Sequence, residues 1–209
     1  MTVIDKLATS LNRRDEIPNQ ELATKIATQN DKEAVKELVN NLNHKDKGIQ
    51  SDCIKTLDEI GKLKPSLISD HVDKLVALLD HKNNRLQWGA MAALHAITNE
   101  NIKEIYNALP KIIESADKGS VITNDHCVGI LIKLCAIKDY AAAAFILLNE
   151  RLLKSPTNQL PMYAENALPV IMRGGHQASF THTLSTRLEE IESPTKRARV
   201  EKVIKKLRA

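Results

Sequence analysis

Aromatic residues make up only 3% of this 209-residue chain, so its core has to be built from aliphatic side chains. Seven glycines and seven prolines are too few to punctuate the many turns of a β-sandwich or barrel. The three cysteines, Cys53, Cys127 and Cys135, are odd in number and sit at apolar positions, which excludes a paired disulfide framework and fits a reducing compartment. The longest apolar run, residues 140–148, falls well short of the ~20 residues a membrane helix needs. Residues 1–14 mix charge with aliphatics and carry neither the apolar stretch nor the small-residue cleavage site of a secretion signal. These absences predict a cytoplasmic protein with no membrane contact.

Catalytic signatures are missing as well. No glycine-rich phosphate loop and no nucleophile elbow occurs. The seven histidines are scattered, and His176 with His182 lack the i, i+4 spacing of a helical ligand pair, so neither a metal nor a cofactor is expected. A non-enzymatic role follows.

What the chain does contain is a period. Leu11, Leu42, Leu79, Ala116, Leu153 and Ile191 fall in one column at spacings of 31, 37, 37, 37 and 38 residues. Self-similarity of that length marks a solenoid, in which each unit buries its apolar face against its neighbours. With 43% hydrophobic residues there is enough apolar material for such a stack. Seven residues before each member of the column stands another aliphatic, Ile4, Val35, Val72, Leu109, Ile146 and Leu184, and in the first four units apolar pairs lie between them at steps of three and four. That is the stripe of an amphipathic helix. In the fifth unit Asn149 and Glu150 interrupt the stripe, and Phe145, Leu148 and Leu152 offer a face rotated by one residue instead.

A second helix is expected to begin at Asp15, Asp46, Asn83, Ser120, Thr157 and Thr195, all suited to accept from the unpaired N–H groups of a first turn. Within it, Leu57, Leu94, Leu131 and Leu168 are core candidates, and Cys53, Ala90, Cys127 and Ala164 form a small-residue column where helices approach closely. A reactive or metal-binding thiol is the alternative for Cys53 and Cys127. Gly174 and Gly175 mark the end of the fifth unit's second helix.

The stretches Asp46-Lys-Gly-Ile-Gln-Ser-Asp-Cys-Ile-Lys-Thr-Leu-Asp-Glu-Ile-Gly61 and Asn83-Asn-Arg-Leu-Gln-Trp-Gly-Ala-Met-Ala-Ala-Leu-His-Ala-Ile97 resemble the second helix of a HEAT repeat. The resemblance implies an all-α, right-handed solenoid of about six antiparallel helix pairs. The units would run approximately 1–30, 31–68, 69–100, 101–137, 138–175 and 176–209 of a single domain. Two features depart from the family: Gln50 and Gln87 stand where it often has arginine, and 37 residues is shorter than its ~40 to 47.

In a HEAT-like stack the second helices usually line the concave side. Transposition by 37 places Ser51, Trp88, Asp125 and Met162 in one column, and Asp52, Gly89, His126 and Tyr163 in the next. Two more hold Lys55, Ala92, Gly129 and Asn166, then Glu59, Ala96, Lys133 and Val170. Small residues around the only tryptophan suggest a shallow groove. Its expected partner-binding residues are Trp88, His95, Asp125, His126, Lys133, Tyr163 and Asn166. Trp88 filling a gap between repeats is the alternative, and so is His95 as an ordinary packing residue.

Charge is uneven. Residues 193–209 contain Lys196, Arg197, Arg199, Lys202, Lys205, Lys206 and Arg208 against Glu201 alone. Such a helix can bind phosphates, or simply be the solvated face of a capping repeat. The function expected is a scaffold or adaptor that grips a protein or peptide in its concave face. Nucleic-acid binding by the basic C-terminal helix is the alternative. Alkylpurine DNA glycosylases also resemble HEAT stacks, and Trp88 and Asp125 could stand as counterparts of their concave aromatics and carboxylate. That enzyme class needs several aromatics and a basic concavity, whereas here Trp88 stands alone beside Asp52, Asp58 and Glu59.

Overall fold

The computed structural model describes residues 2–208, and among them helices are the only regular elements. The chain divides into two compact units, residues 1–127 and 128–209.

The first unit contains α1 (Ile17–Gln29), α2 (Lys32–Asn40), α3 (Lys47–Leu63), α4 (Val72–Ala77), α5 (Asn84–Ala96), α6 (Ile102–Asn107), α7 (Leu109–Lys118) and the start of α8 (Val121–Cys135). Its centre is α3, which packs against α1 on one side and α5 on the other. The aligned aliphatics do what the period requires: Val35, Leu42, Leu57, Val72, Leu79, Leu94, Leu109 and Ala116 are all buried, as are Cys53, Ala90 and Cys127.

Two consecutive repeats share one turn in atomic detail. Helices α2 and α4 each tighten into a 3-10 turn, Asn41–Asn43 and Leu78–Asp80, and leave it at a histidine in extended conformation. The side chain of Asp46 then accepts from the N–H groups of Gly48 and Ile49, and that of Asn83 accepts from Arg85. Each cap contributes about 1 kcal/mol to its helix. Nδ1 of His44 accepts from the Asp46 N–H at 3.0 Å and Nδ1 of His81 from the Asn83 N–H at 3.0 Å, which leaves each ring's Nε2 free to carry its proton. The Gln50 amide donates to the His44 carbonyl and the Gln87 amide to the His81 carbonyl. The departure from arginine at these two positions therefore serves a local turn bond.

The first repeat differs from expectation. Instead of a helix across residues 4–11 there is a 3-10 turn at Ile4–Lys6 followed by irregular turns, and Leu11 is 50% exposed. With no helical ladder, the backbone N–H groups are taken by side chains. Glu37 accepts from Val3 and Ile4, buried Asn19 accepts from Ala8, and Asp52 accepts from Thr9. Leu7 and Ala8 still reach the core.

The second unit holds the remainder of α8, then α9 (Ala141–Lys154), α10 (Leu160–Gly174), α11 (Gln177–Arg187) and α12 (Pro194–Arg208). In α9 the rotated face is the buried one: Phe145, Leu148 and Leu152 are inside, while Ile146 is 60% and Leu153 49% exposed. Helix α10 ends at Gly174, and Gly175 follows with φ +77°, a left-handed conformation that glycine adopts without strain.

The caps expected at Thr157 and Thr195 do not form. Helix α10 starts at Leu160 after an uncapped Gln159, and α12 starts at Pro194, one residue before Thr195. Proline at the first helical position supplies the preset φ in place of a capping oxygen. Ser120 precedes α8, but its buried hydroxyl oxygen has no hydrogen-bond partner among the described residues.

Candidate functional site

Along α5, Arg85, Trp88, Gly89 and Ala92 stand at i, i+3, i+4 and i+7 and so share one face of the helix. They line a groove of about 680 Å³ in the first unit together with Ser51, Ile54, Lys55 and Asp58 of α3, Ile122 and His126 of α8, and residues 13–16. Trp88 is half-buried, and it also borders a second cleft of about 1310 Å³ between the two repeated turns, lined by Lys45, Lys47, Lys82 and Arg85.

Part of the small-residue character around Trp88 is a packing requirement. A Cβ on Gly89 would lie 2.6 Å from Cγ1 of Ile54, so α3 and α5 approach too closely there for any side chain. Ala92 is buried although it lines the groove. Trp88 itself is only half-buried.

Deeper along the same face, Nδ1 of His95 and Nδ1 of His126 lie 3.2 Å apart with the rings tilted by 55°. One ring must donate and the other accept, so the contact requires at least one neutral imidazole. Burial pushes His126 below its ordinary value, Lys62 acts in the same direction, and the carboxylates of Asp58 and Asp125 oppose it. The unfolded chain therefore binds the His126 proton more tightly than the native state does. Stability from this group is present above the unfolded value of 6.5 and is lost as pH falls through the lower folded value. His71, lowered mainly by burial, adds a slope of the same sign. Urea midpoints should fall between pH 7 and pH 5, and His126→Asn should flatten that fall; equal slopes in the two proteins would refute the assignment.

Lys55 and Lys62 sit in a ladder on α3. Lys55 bonds Glu16 at 3.1 Å and Glu59 at 2.7 Å, while Lys62 bonds Asp58 at 2.8 Å and Glu59 at 3.0 Å. Burial works to lower both ammonium groups, but these bonds outweigh it and hold them above the usual lysine value. Glu59 is held low by the same two lysines against its own burial.

Four of the residues expected on the concave face, Trp88, His95, Asp125 and His126, lie in the first unit, all half-buried. Lys133, Tyr163 and Asn166 belong to the second. Lys133 is half-buried and lowered by burial, and Asn166 is exposed. Tyr163 is a correction: at 2% exposure it is a core residue of α10, because that helix turns this position inward. Cys53 and Cys135 are buried, and burial pushes both thiols up to about 12, too high for a nucleophile; the charges of Asp52 and Glu37 add to the effect at Cys53.

The basic helix α12 is partly structural. Arg199 makes a bidentate pair with Glu165 at 2.9 and 2.6 Å, Lys196 donates to Asn158, and Arg197 donates to the Ile191 and Glu189 carbonyls. Lys202, Lys205, Lys206 and Arg208 remain exposed.

Sequence reasoning missed Arg14, Lys45, Lys47, Lys82 and Arg85. The signal was present in the repeated His-Lys-Asp and His-Lys-Asn turns at 44–46 and 81–83. Among the described residues no group of three or more His, Cys, Asp or Glu is placed to hold a metal ion, and no helix is long and apolar enough to cross a membrane.

These helix pairs form an all-α helical-repeat fold similar to that of armadillo repeat proteins. No family model matches the sequence, and no curated protein does. Among solved structures, a designed armadillo repeat protein in complex with the peptide (KR)4 aligns with a TM-score of 0.67 at 15% identity, over 98% of this chain and 97% of its own. Computationally designed armadillo repeat proteins for modular peptide recognition align at 0.65 and 16%, covering 98% of both chains. An engineered protein of known crystal structure aligns at 0.61 and 23%, over 99% of this chain and all of its own. At such identities the likeness establishes the fold and nothing narrower.

Proposed function

We propose that this chain is a non-catalytic interaction module that grips an extended segment of a partner protein in the groove beside Trp88. The observation that carries the reading is the groove itself. A half-buried aromatic rises beside an apolar floor of Ile54, Ala92 and Ile122, with charged side chains along the rim. That is the anatomy of a binding hot spot, an aromatic anchor surrounded by polar groups that exclude water. The designed armadillo proteins of similar fold recognise peptides, which supports a peptide as the kind of partner. Nucleic-acid binding through α12 rests on a smaller base, since three of its seven cations are already spent within the second unit.

Panning a random 12-residue display library against the full chain tests the proposal. Enriched peptides should bind Trp88→Ala at least about tenfold more weakly than the wild type, a loss of about 1.4 kcal/mol. Binding should be unchanged in Lys205→Glu/Lys206→Glu. Because Trp88 is the only tryptophan, its fluorescence reports occupancy directly. Failure to enrich any peptide, or enrichment insensitive to Trp88, would overturn the reading.

A further inference from the structure

The groove is lined by as many carboxylates as lysines and arginines, and the adjoining cleft by four cations against Asp80 alone, yet the two signs are not equally available. The carboxylates are committed within the protein. Asp15 is paired with Arg13 and Glu16 with Lys55. Asp52 holds the Thr9 N–H and the Asn19 amide. Asp46 caps α3, and Asp80 is paired with Lys111. One oxygen of Asp58 bonds Lys62, and the other is sealed from solvent where no ligand atom can touch it.

The cations on the same surface are in the opposite condition. Arg14, Lys45, Lys47, Lys82 and Arg85 are all exposed, and none makes an ion pair among the described residues. Four of them line the cleft between the repeated turns, Arg14 lines the groove, and Trp88 borders both spaces. His44 and His81 also border the cleft, with Nδ1 occupied as an acceptor, so each presents an Nε2–H donor to its ligands. The surface a ligand meets is therefore cationic and rich in donors, with one apolar pocket at its edge.

We infer that the partner segment is an acidic peptide: aspartate or glutamate side chains lie in the cleft against Lys45, Lys47, Lys82 and Arg85, and an apolar side chain packs beside Trp88. This rests on the peptide-binding reading and names the chemistry it selects. A peptide fits better than a nucleic acid because a single aromatic borders the cleft, where a single strand gains most from a series of stacking platforms. It also fits the apolar floor, which has no use for phosphates. Free rim cations raise the encounter rate with an anionic segment and disfavour a basic one.

The peptides enriched against the wild type carry the test. Their mean net charge should be negative, with an apolar residue flanked by Asp or Glu. Affinity should drop at least tenfold in Lys82→Glu/Arg85→Glu, persist in Lys82→Arg/Arg85→Lys, and weaken as salt rises. Thermal melts of the two variants confirm folding, which these exposed positions should not disturb. Enriched peptides that depend on Trp88 but are neutral or basic would overturn the acidic partner while leaving the groove reading intact. Loss of Trp88 dependence would overturn both. Tighter binding of a 12-nucleotide oligodeoxythymidylate than of any enriched peptide would replace the peptide by a nucleic acid.

Discussion

Arg187→Ala should lower the unfolding free energy by about 3 kcal/mol, the largest effect expected of any single polar substitution in the chain. The guanidinium is buried, donating to the Leu152 carbonyl at 2.5 Å, the Ser155 carbonyl at 3.0 Å and the Glu190 carboxylate at 2.8 Å. Leu152 O belongs to the last turn of α9, where helix carbonyls have no partner of their own, and Ser155 O lies just past the helix end. Truncation strands both carbonyls in a place water does not reach, at about 1–3 kcal/mol each, and deletes the packed alkyl stem. Arg187→Lys should recover only part of the loss, because one ammonium cannot span acceptors that the planar fork reaches together. Urea denaturation followed by circular dichroism gives the number. A loss under about 1 kcal/mol with an unchanged m-value would show that the α9 terminus finds other partners.

Asp52→Ala comes next, at about 2–3 kcal/mol. Its two oxygens receive the Thr9 N–H at 2.7 Å and the Asn19 Nδ2 at 2.9 Å, and Asn19 Oδ1 in turn receives the Ala8 N–H at 3.0 Å. Bonds to a charged acceptor are each worth about 1.5–3 kcal/mol, and removing the carboxylate leaves Asn19, itself buried, half-satisfied. The N-terminal segment has no helical ladder to fall back on, so the loss is local as well as global. Amide hydrogen exchange at Ala8 and Thr9 should accelerate before the rest of the first unit opens. Asp52→Asn keeps the shape but turns an NH₂ toward a donor, so it should retain part of the stability. Unchanged protection at Thr9 in Asp52→Ala would refute this account of how the segment is held.

Both effects lie where the repeat pattern says nothing. Aliphatic periodicity identified the buried columns, and it identified α9 correctly even where Asn149 and Glu150 broke the stripe, because Phe145, Leu148 and Leu152 formed an equally wide apolar face. It failed at residues 4–11. Hydrophobic spacing there is helical, but Glu37, Asn19 and Asp52 offer its backbone other partners. The same limit applies to caps. Asp46 and Asn83 act as their residue types suggest, whereas Thr157 and Thr195 lie beside helices that start elsewhere.

For the candidate site, Trp88 and its small neighbours were legible from columns transposed by 37 residues, as was the position of His126. The free cations were not. A sequence shows acidic residues such as Glu16, Asp58 and Asp80 interspersed with the lysines, but only contacts between distant positions show which charges have been spent.

Composition and a 37-residue period by themselves determined an all-α repeat protein with an aliphatic core, because helices with one apolar stripe must cover one another and no other element here can. Tertiary structure decided which side chains answer the backbone at the irregular ends, that Tyr163 is core, and which cations stay unpaired around Trp88. Those outcomes depend on distances of about 3 Å between residues tens of positions apart, and linear spacing does not encode them.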